Sequence, residues 1–243
     1  MIRLAEVMAM ARSYREKITR DLRRTATIYG LAIIALAGAV IVSDKPVVQN
    51  ITTTRPESPI ASMLSAVYRV RVIGLDGSAW SGSAFAVIED GMLVTAGHVV
   101  HDAASVVVEA MDGTIYQAEA WFESPSYDVG LIRIAPLSPL SCVFLGGGIP
   151  SPGDTVFIVG APLGEYGWTI TKGILSHPSR SIPDLSEGTV FQTDCPAYPG
   201  NSGGPVYDEY GIVVGVLVAG YDSSMNFAVP VRYVWETLRA WSE

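Results

Sequence analysis

The chain has 243 residues, 49% of them apolar and only 16% charged, with a net charge of −8. That length holds one globular domain of about 180 residues beside a membrane segment, not two full domains, and the composition excludes a disordered chain. Charge is uneven: residues 1–45 carry eight Lys/Arg against four Asp/Glu, net +4, while residues 46–243 carry eight against twenty, net −12. The acidic main body excludes a nucleic-acid partner, whose phosphates demand a basic face.

Residues 1–24 place Leu4, Val7, Ala11, Tyr14, Ile18 and Leu22 at helical spacing among charges. This reads as an amphipathic helix, either solvated or lying on an anionic membrane surface. Residues 25–43 are nineteen positions without a charge, just long enough to cross a bilayer. Seven Lys/Arg precede them, so the positive-inside rule puts the N-terminus in the cytoplasm and the main domain outside. A single-pass anchor is expected. A signal peptide cleaved near Ala37-Gly38-Ala39 is the alternative, and it also exports the main domain to a periplasmic or extracellular space. Residues 44–60, with three prolines, read as a tether.

From residue 61 the pattern changes to short β-type runs cut by turns. Six runs are expected in the first half, at 66–73, 83–88, 92–96, 105–110, 114–121 and 129–134, with turn signals at Asp76-Gly77, Asp90-Gly91 and Asp112-Gly113. Six more follow, at 155–160, 168–176, 189–193, 204–207, 212–218 and 225–229. The expected fold is all-β, two six-stranded antiparallel barrels over about 61–140 and 150–229 within one domain, 61–243. Pro230 opens a closing helix over 230–241, whose stripe of Val231, Val234, Trp235, Leu238 and Trp241 should pack on a barrel.

Three motifs carry chemistry. In Pro199-Gly200-Asn201-Ser202-Gly203-Gly204-Pro205, three glycines crowd one serine. Such a tight turn can expose a nucleophile and aim backbone N–H groups at an oxyanion. In Leu93-Val94-Thr95-Ala96-Gly97-His98, a histidine ends an apolar strand and could serve as a base. In Tyr127-Asp128-Val129-Gly130-Leu131-Ile132, an aspartate opens an apolar strand and could orient that histidine. Each alone fits a turn, a structural histidine or a cap. Together they follow the order His…Asp…Ser, which is the chymotrypsin order.

On these motifs, and on the stretches 81–100, 127–134, 159–176, 191–206 and 211–231, the chain resembles trypsin-like peptidases of the HtrA (Deg) type. The resemblance implies a serine endopeptidase with His98, Asp128 and Ser202 as its triad. It also implies an oxyanion hole from the N–H groups of Gly200 and Ser202. Trypsins that cut after Lys or Arg carry an acid six residues before the serine, where this chain has Pro196. The expected pocket walls, Pro196, Ala197 and Tyr198 with Val216, Leu217 and Val218, are mostly apolar, so cleavage after small or medium apolar residues is expected. Asn201 stands where digestive proteases have the aspartate that pairs with a freed N-terminus, so no zymogen cleavage step is expected. Typical members continue into a PDZ domain, whereas thirteen residues follow Pro230 here. Peptide sensing and trimer formation are therefore not carried over, and no oligomer is indicated.

The expected partners are protein or peptide substrates and, through the N-terminal segment, a membrane. A binding protein that kept the fold without the activity is the rival function. No metal or cofactor is expected: His101 and His177 lack ligand-like spacing, and Cys142 and Cys195 lack a CxxC pair. Those cysteines could form one disulfide or stay as two thiols.

Overall fold

The computed structural model describes residues 63–162, 167–182, 187–222 and 224–242. The amphipathic segment 1–24, the apolar run 25–43 and the tether 44–60 lie outside the described residues. Among the described residues no helix is long and apolar enough to cross a membrane.

The first half builds seven strands: β1 Val67–Gly74, β2 Ala79–Ile88, β3 Met92–Thr95, β4 Ala103–Glu109, β5 Ile115–Gln117, β6 Ala120–Glu123 and β7 Gly130–Arg133. Between β3 and β4 sits one helical turn, α1 Gly97–Val100. The strands form one antiparallel sheet in the order β5-β4-β1-β2-β3-β7-β6. This corrects the expected six-stranded barrel. The run 114–121 is not one strand. Ala118 N–H still bonds Val106 O on the β4 side, but Glu119 N–H bonds Arg133 O on the β7 side. The chain changes partner between those two residues, so one apolar run becomes the two opposite edges of the sheet.

The second half forms β8 Thr155–Gly160, β9 Thr169–Ser181, β10 Thr189–Thr193, β11 Pro205–Asp208, β12 Val213–Asp222 and β13 Met225–Pro230. These close into a six-stranded barrel in the order β10-β13-β12-β11-β8-β9, as expected. The inner residues Val156, Ile158, Leu175, Phe191, Val206, Leu217 and Ala228 are all buried. Each large aliphatic or aromatic side chain of this kind contributes about 1.5–3 kcal/mol on leaving water. The first sheet folds around Val67, Val70, Val72, Phe85, Leu93, Leu131 and Ile132, none of them exposed.

Side-chain bonds tie the halves together. Trp168 Nε1–H donates to Val67 O at 2.7 Å, and Ser83 Oγ–H donates to Gly200 O at 2.7 Å. The closing helix is α2, Val231–Ser242. Val231 and Val234 are buried and Trp235, Leu238 and Trp241 are half-buried against the core, as the stripe requires. Thr237 is buried too, because its hydroxyl is satisfied within the helix by Tyr233 O at 2.8 Å. Cys142 and Cys195 are free thiols.

Candidate active site

The serine turn lies between β10 and β11. Pro199 occupies the second position of a tight turn and Gly200 the third, at φ +96°, and Asn201 N–H closes it on Tyr198 O at 3.0 Å. Proline followed by a residue of positive φ is the pattern of a type II turn. Gly203 follows at φ +85°, its N–H on Leu217 O at 2.7 Å, and Leu217 N–H returns to Gly204 O at 2.9 Å. From the other half, Ser83 N–H holds Ser202 O at 2.7 Å. The buried Ser83 hydroxyl donates to Gly200 O and accepts Ala161 N–H at 2.9 Å. Every carbonyl of this turn named here is thus occupied. Among the described residues, neither Gly200 N–H nor Ser202 N–H donates a hydrogen bond. Gly200 and Ser202 therefore each keep a backbone donor free beside the partly exposed serine.

Asn201, between them, is buried and rests on Gly160, where a Cβ would lie 2.7 Å from Asn201 Oδ1. That Oδ1 accepts no hydrogen bond among the described residues. A carboxylate in this place would need a cationic partner; a neutral amide tolerates its absence at far lower cost.

His98 is the second residue of α1 and its ring is half exposed. Asp128, only 11% exposed in its side chain, binds it twice. Asp128 Oδ1 accepts the backbone N–H of His98 at 2.8 Å, and Oδ2 lies 2.8 Å from Nδ1. An ionised carboxylate can only accept, so Nδ1 is the donor and, in a neutral ring, Nε2 carries the lone pair. Gly97 lets the two segments meet, since a Cβ there would come 3.0 Å from Asp128 Oδ1. Gly82 of β2 marks where the histidine and serine segments converge. A Cβ on it would lie 2.8 Å from Val99 and 3.0 Å from Ser202 O. Among the hydrogen bonds of the described residues, none joins Ser202 Oγ to His98, a contact that commonly tightens only when substrate is bound.

A model of the trypsin-like peptidase domain matches residues 82–216, from Gly82 through the serine turn into β12. The chain belongs to this family. It is 34% identical over 156 residues to a probable periplasmic serine endoprotease DegP-like protein of Pseudomonas putida, covering 62% of this chain and 32% of that one. It is 34% identical over 169 residues to serine protease HTRA1B of Danio rerio, covering 68% and 35%. The chain therefore spans about a third of the length of these curated relatives. Among solved structures, the HtrA-type protease AlgW with tripeptide superposes with a TM-score of 0.68 at 29% identity, covering 75% of this chain and 62% of that one.

In this trypsin-like peptidase domain the six expected pocket residues separate. Pro196 and Ala197 are half-buried and Tyr198 is half exposed. Val216, Leu217 and Val218 are all buried. Leu217 points into the barrel beside Cys195 and Ala197, while Val216 and Val218 join the other core cluster. Neighbours on a strand face opposite ways, so Leu217 and the two valines meet different surroundings. Burial pushes the Cys195 thiol up to about 11, and its Sγ lies 3.3 Å from Val156 O, a structural role.

Two polar residues escaped the sequence reading. Ser83 anchors the serine turn. Asn226, paired with Thr193 and Gly220, donates from Nδ2 to Cys195 O at 2.7 Å and so fixes the start of the 195–199 segment. A polar side chain inside the apolar run MNFAV was the available signal for Asn226. Among the described residues, no three His, Cys, Asp or Glu side chains are grouped to hold a metal.

Proposed function

We propose that this chain is a serine endopeptidase of the HtrA-like kind. Ser202 attacks the scissile carbonyl, and His98 takes its proton through Nε2 and returns it to the leaving amine. Asp128 holds the imidazole tautomer and stabilises the imidazolium. The N–H groups of Gly200 and Ser202 receive the oxyanion. The observation that carries the reading is the two-point grip of Asp128 on His98 at 2.8 Å, next to a serine turn with two unspent N–H donors. Membership of the trypsin-like peptidase family supports it.

The basic leader and the uncharged run 25–43 favour a membrane-tethered enzyme with its domain outside the cytoplasm. The periplasmic assignment in the name of the Pseudomonas putida relative agrees with that side. The test is covalent labelling by a fluorophosphonate probe, in a membrane-impermeant form on sealed cells and then on lysed ones. Labelling of the wild type from outside, absent in Ser202→Ala, is expected. Labelling only after lysis would overturn the topology. No labelling of folded protein in either sample would favour the non-catalytic binding protein.

For specificity, Pro196 places no acid six residues before Ser202, and the segment continues with Ala197. Chromogenic peptides ending in Val or Ala should therefore be cut faster than those ending in Arg or Lys. A desolvated cation without a paired carboxylate is strongly disfavoured. A faster rate on the basic peptides would refute the assignment of these residues to the pocket.

A further inference from the structure

Asp128 sits in a partly exposed bend that packs on one side against the C-terminal helix. The next-door residue, Tyr127, stacks on Tyr233 of α2, with ring centroids 4.0 Å apart and planes at 25°. The Glu236 carboxylate, one turn along the helix, holds the Tyr127 phenol above the ordinary value. The Tyr233 hydroxyl accepts Thr189 N–H and Arg232 Nη2–H, both at 3.1 Å. Arg232 Nη2 also bonds Thr189 Oγ1 at 2.6 Å. Glu187 N–H closes the circle on Ser126 O at 2.9 Å. At Gly188 a Cβ would lie 2.5 Å from the Tyr233 ring. Three segments, 124–129, 187–189 and 232–236, therefore interlock around one tyrosine pair, and Asp128 is the next residue along from that pair.

Within the bend, Ser124 N–H bonds Val129 O at 2.9 Å and Ser124 Oγ accepts Ser126 N–H at 3.4 Å. Ser124 Oγ accepts Tyr127 N–H at 3.2 Å, and Val129 N–H bonds Tyr127 O at 2.7 Å. Asp128 is bonded directly to Tyr127, so a displacement of the Tyr127 backbone carries the Asp128 peptide with it. Both carboxylate oxygens of Asp128 are committed to His98, so a small swing breaks a two-point contact.

Resting on the reading of His98, Asp128 and Ser202 above, we infer that Tyr233 is a positioning residue for the reaction. Its stack on Tyr127 holds Asp128 in its two-point contact with His98, so the C-terminal helix sets the geometry of the catalytic pair.

The test is the second-order rate of inactivation of the full chain by a fluorophosphonate, followed against pH. The acid limb of that profile reports the His98 pKa. Asp128 stabilises the imidazolium, so a loosened carboxylate moves the limb to lower pH. His101, Asp102 and Glu123, which form their own ion-pair cluster beyond α1, are unaltered in every variant. Around the tyrosine pair the other charged groups, Glu187, Arg232 and Glu236, are also kept. Tyr233→Ala is expected to slow inactivation by about tenfold to a hundredfold, the scale of a misplaced catalytic group, and to lower the limb. Tyr233→Phe, which keeps the ring, should stay within about twofold with the limb in place. A folded Tyr233→Ala with wild-type behaviour overturns the inference. So does a loss that is equal at all pH values, because a purely structural role reduces the active fraction without moving the limb. If Tyr233→Ala does not fold, Gly188→Ala decides instead, since its methyl displaces the same ring. Asp128→Asn separates the two levels. If it leaves both rate and limb unchanged, the reading of the site fails. If it moves them while the Tyr233 variants do not, only the inference fails.

Discussion

Asp128→Asn is expected to lower kcat by about four orders of magnitude with the fold intact, the size seen when the orienting carboxylate of a serine triad becomes an amide. The geometry explains the direction. Oδ1 is held by the backbone N–H of His98 and Oδ2 by Nδ1, both at 2.8 Å. An asparagine has one oxygen, and the backbone N–H, which cannot accept, claims it. The amide nitrogen then faces Nδ1, which must accept instead of donate. The imidazole proton moves to Nε2, the atom that has to take the serine proton, and the base is lost. Steady-state hydrolysis of an unstructured protein such as casein, beside a thermal melt, checks this. A folded variant within tenfold of wild-type kcat would remove Asp128 from the mechanism.

Gly203→Ala should abolish probe labelling and also destabilise the domain. Gly203 has φ +85°, and a Cβ there would fall on Ser83 O and Thr95 Oγ1, with Ala96 N at 2.8 Å. Those two oxygens already share a hydrogen bond at 2.7 Å, Thr95 donating. The methyl therefore forces apart β2 and β3, one carrying the anchor of the serine turn and the other leading into His98. Left-handed strain of about 1–2 kcal/mol and overpacking of about 1–3 kcal/mol add to roughly 2–5 kcal/mol. For a domain of this size that is a melting point lower by roughly 5–15 °C. Gly113→Ala is the matched control. Its φ is +86°, but nothing lies within 4 Å of the added methyl, so only the strain applies and labelling persists. Equal melting points for the two variants would mean that the space around Gly203 is not as tight as drawn.

Local rules carried much of the fold. The turn pairs Asp76-Gly77, Asp90-Gly91 and Asp112-Gly113 each place a glycine at positive φ, and all three link consecutive strands. In two of them the aspartate accepts the N–H two residues on, at 2.9 Å. The run 114–121 failed as one strand because hydrophobic patterning reports which residues want burial, not which neighbour the backbone pairs with. The block 216–218 divides its side chains between two clusters for a related reason, since composition ignores the alternation of a strand.

By itself, the sequence determined the β-rich class, the closing helix and the order His98, Asp128, Ser202, because each signal lies within a handful of consecutive residues. Three decisions belonged to tertiary structure alone. Ser83 reaches Gly200 across 117 positions, Asn226 reaches Cys195 across 31, and Tyr233 meets Tyr127 across the join of helix and sheet. Apart from the polar position of Asn226 within MNFAV, nothing local distinguishes these residues, because the worth of a hydroxyl, an amide or a ring depends on the partner that folding brings within hydrogen-bond or stacking distance.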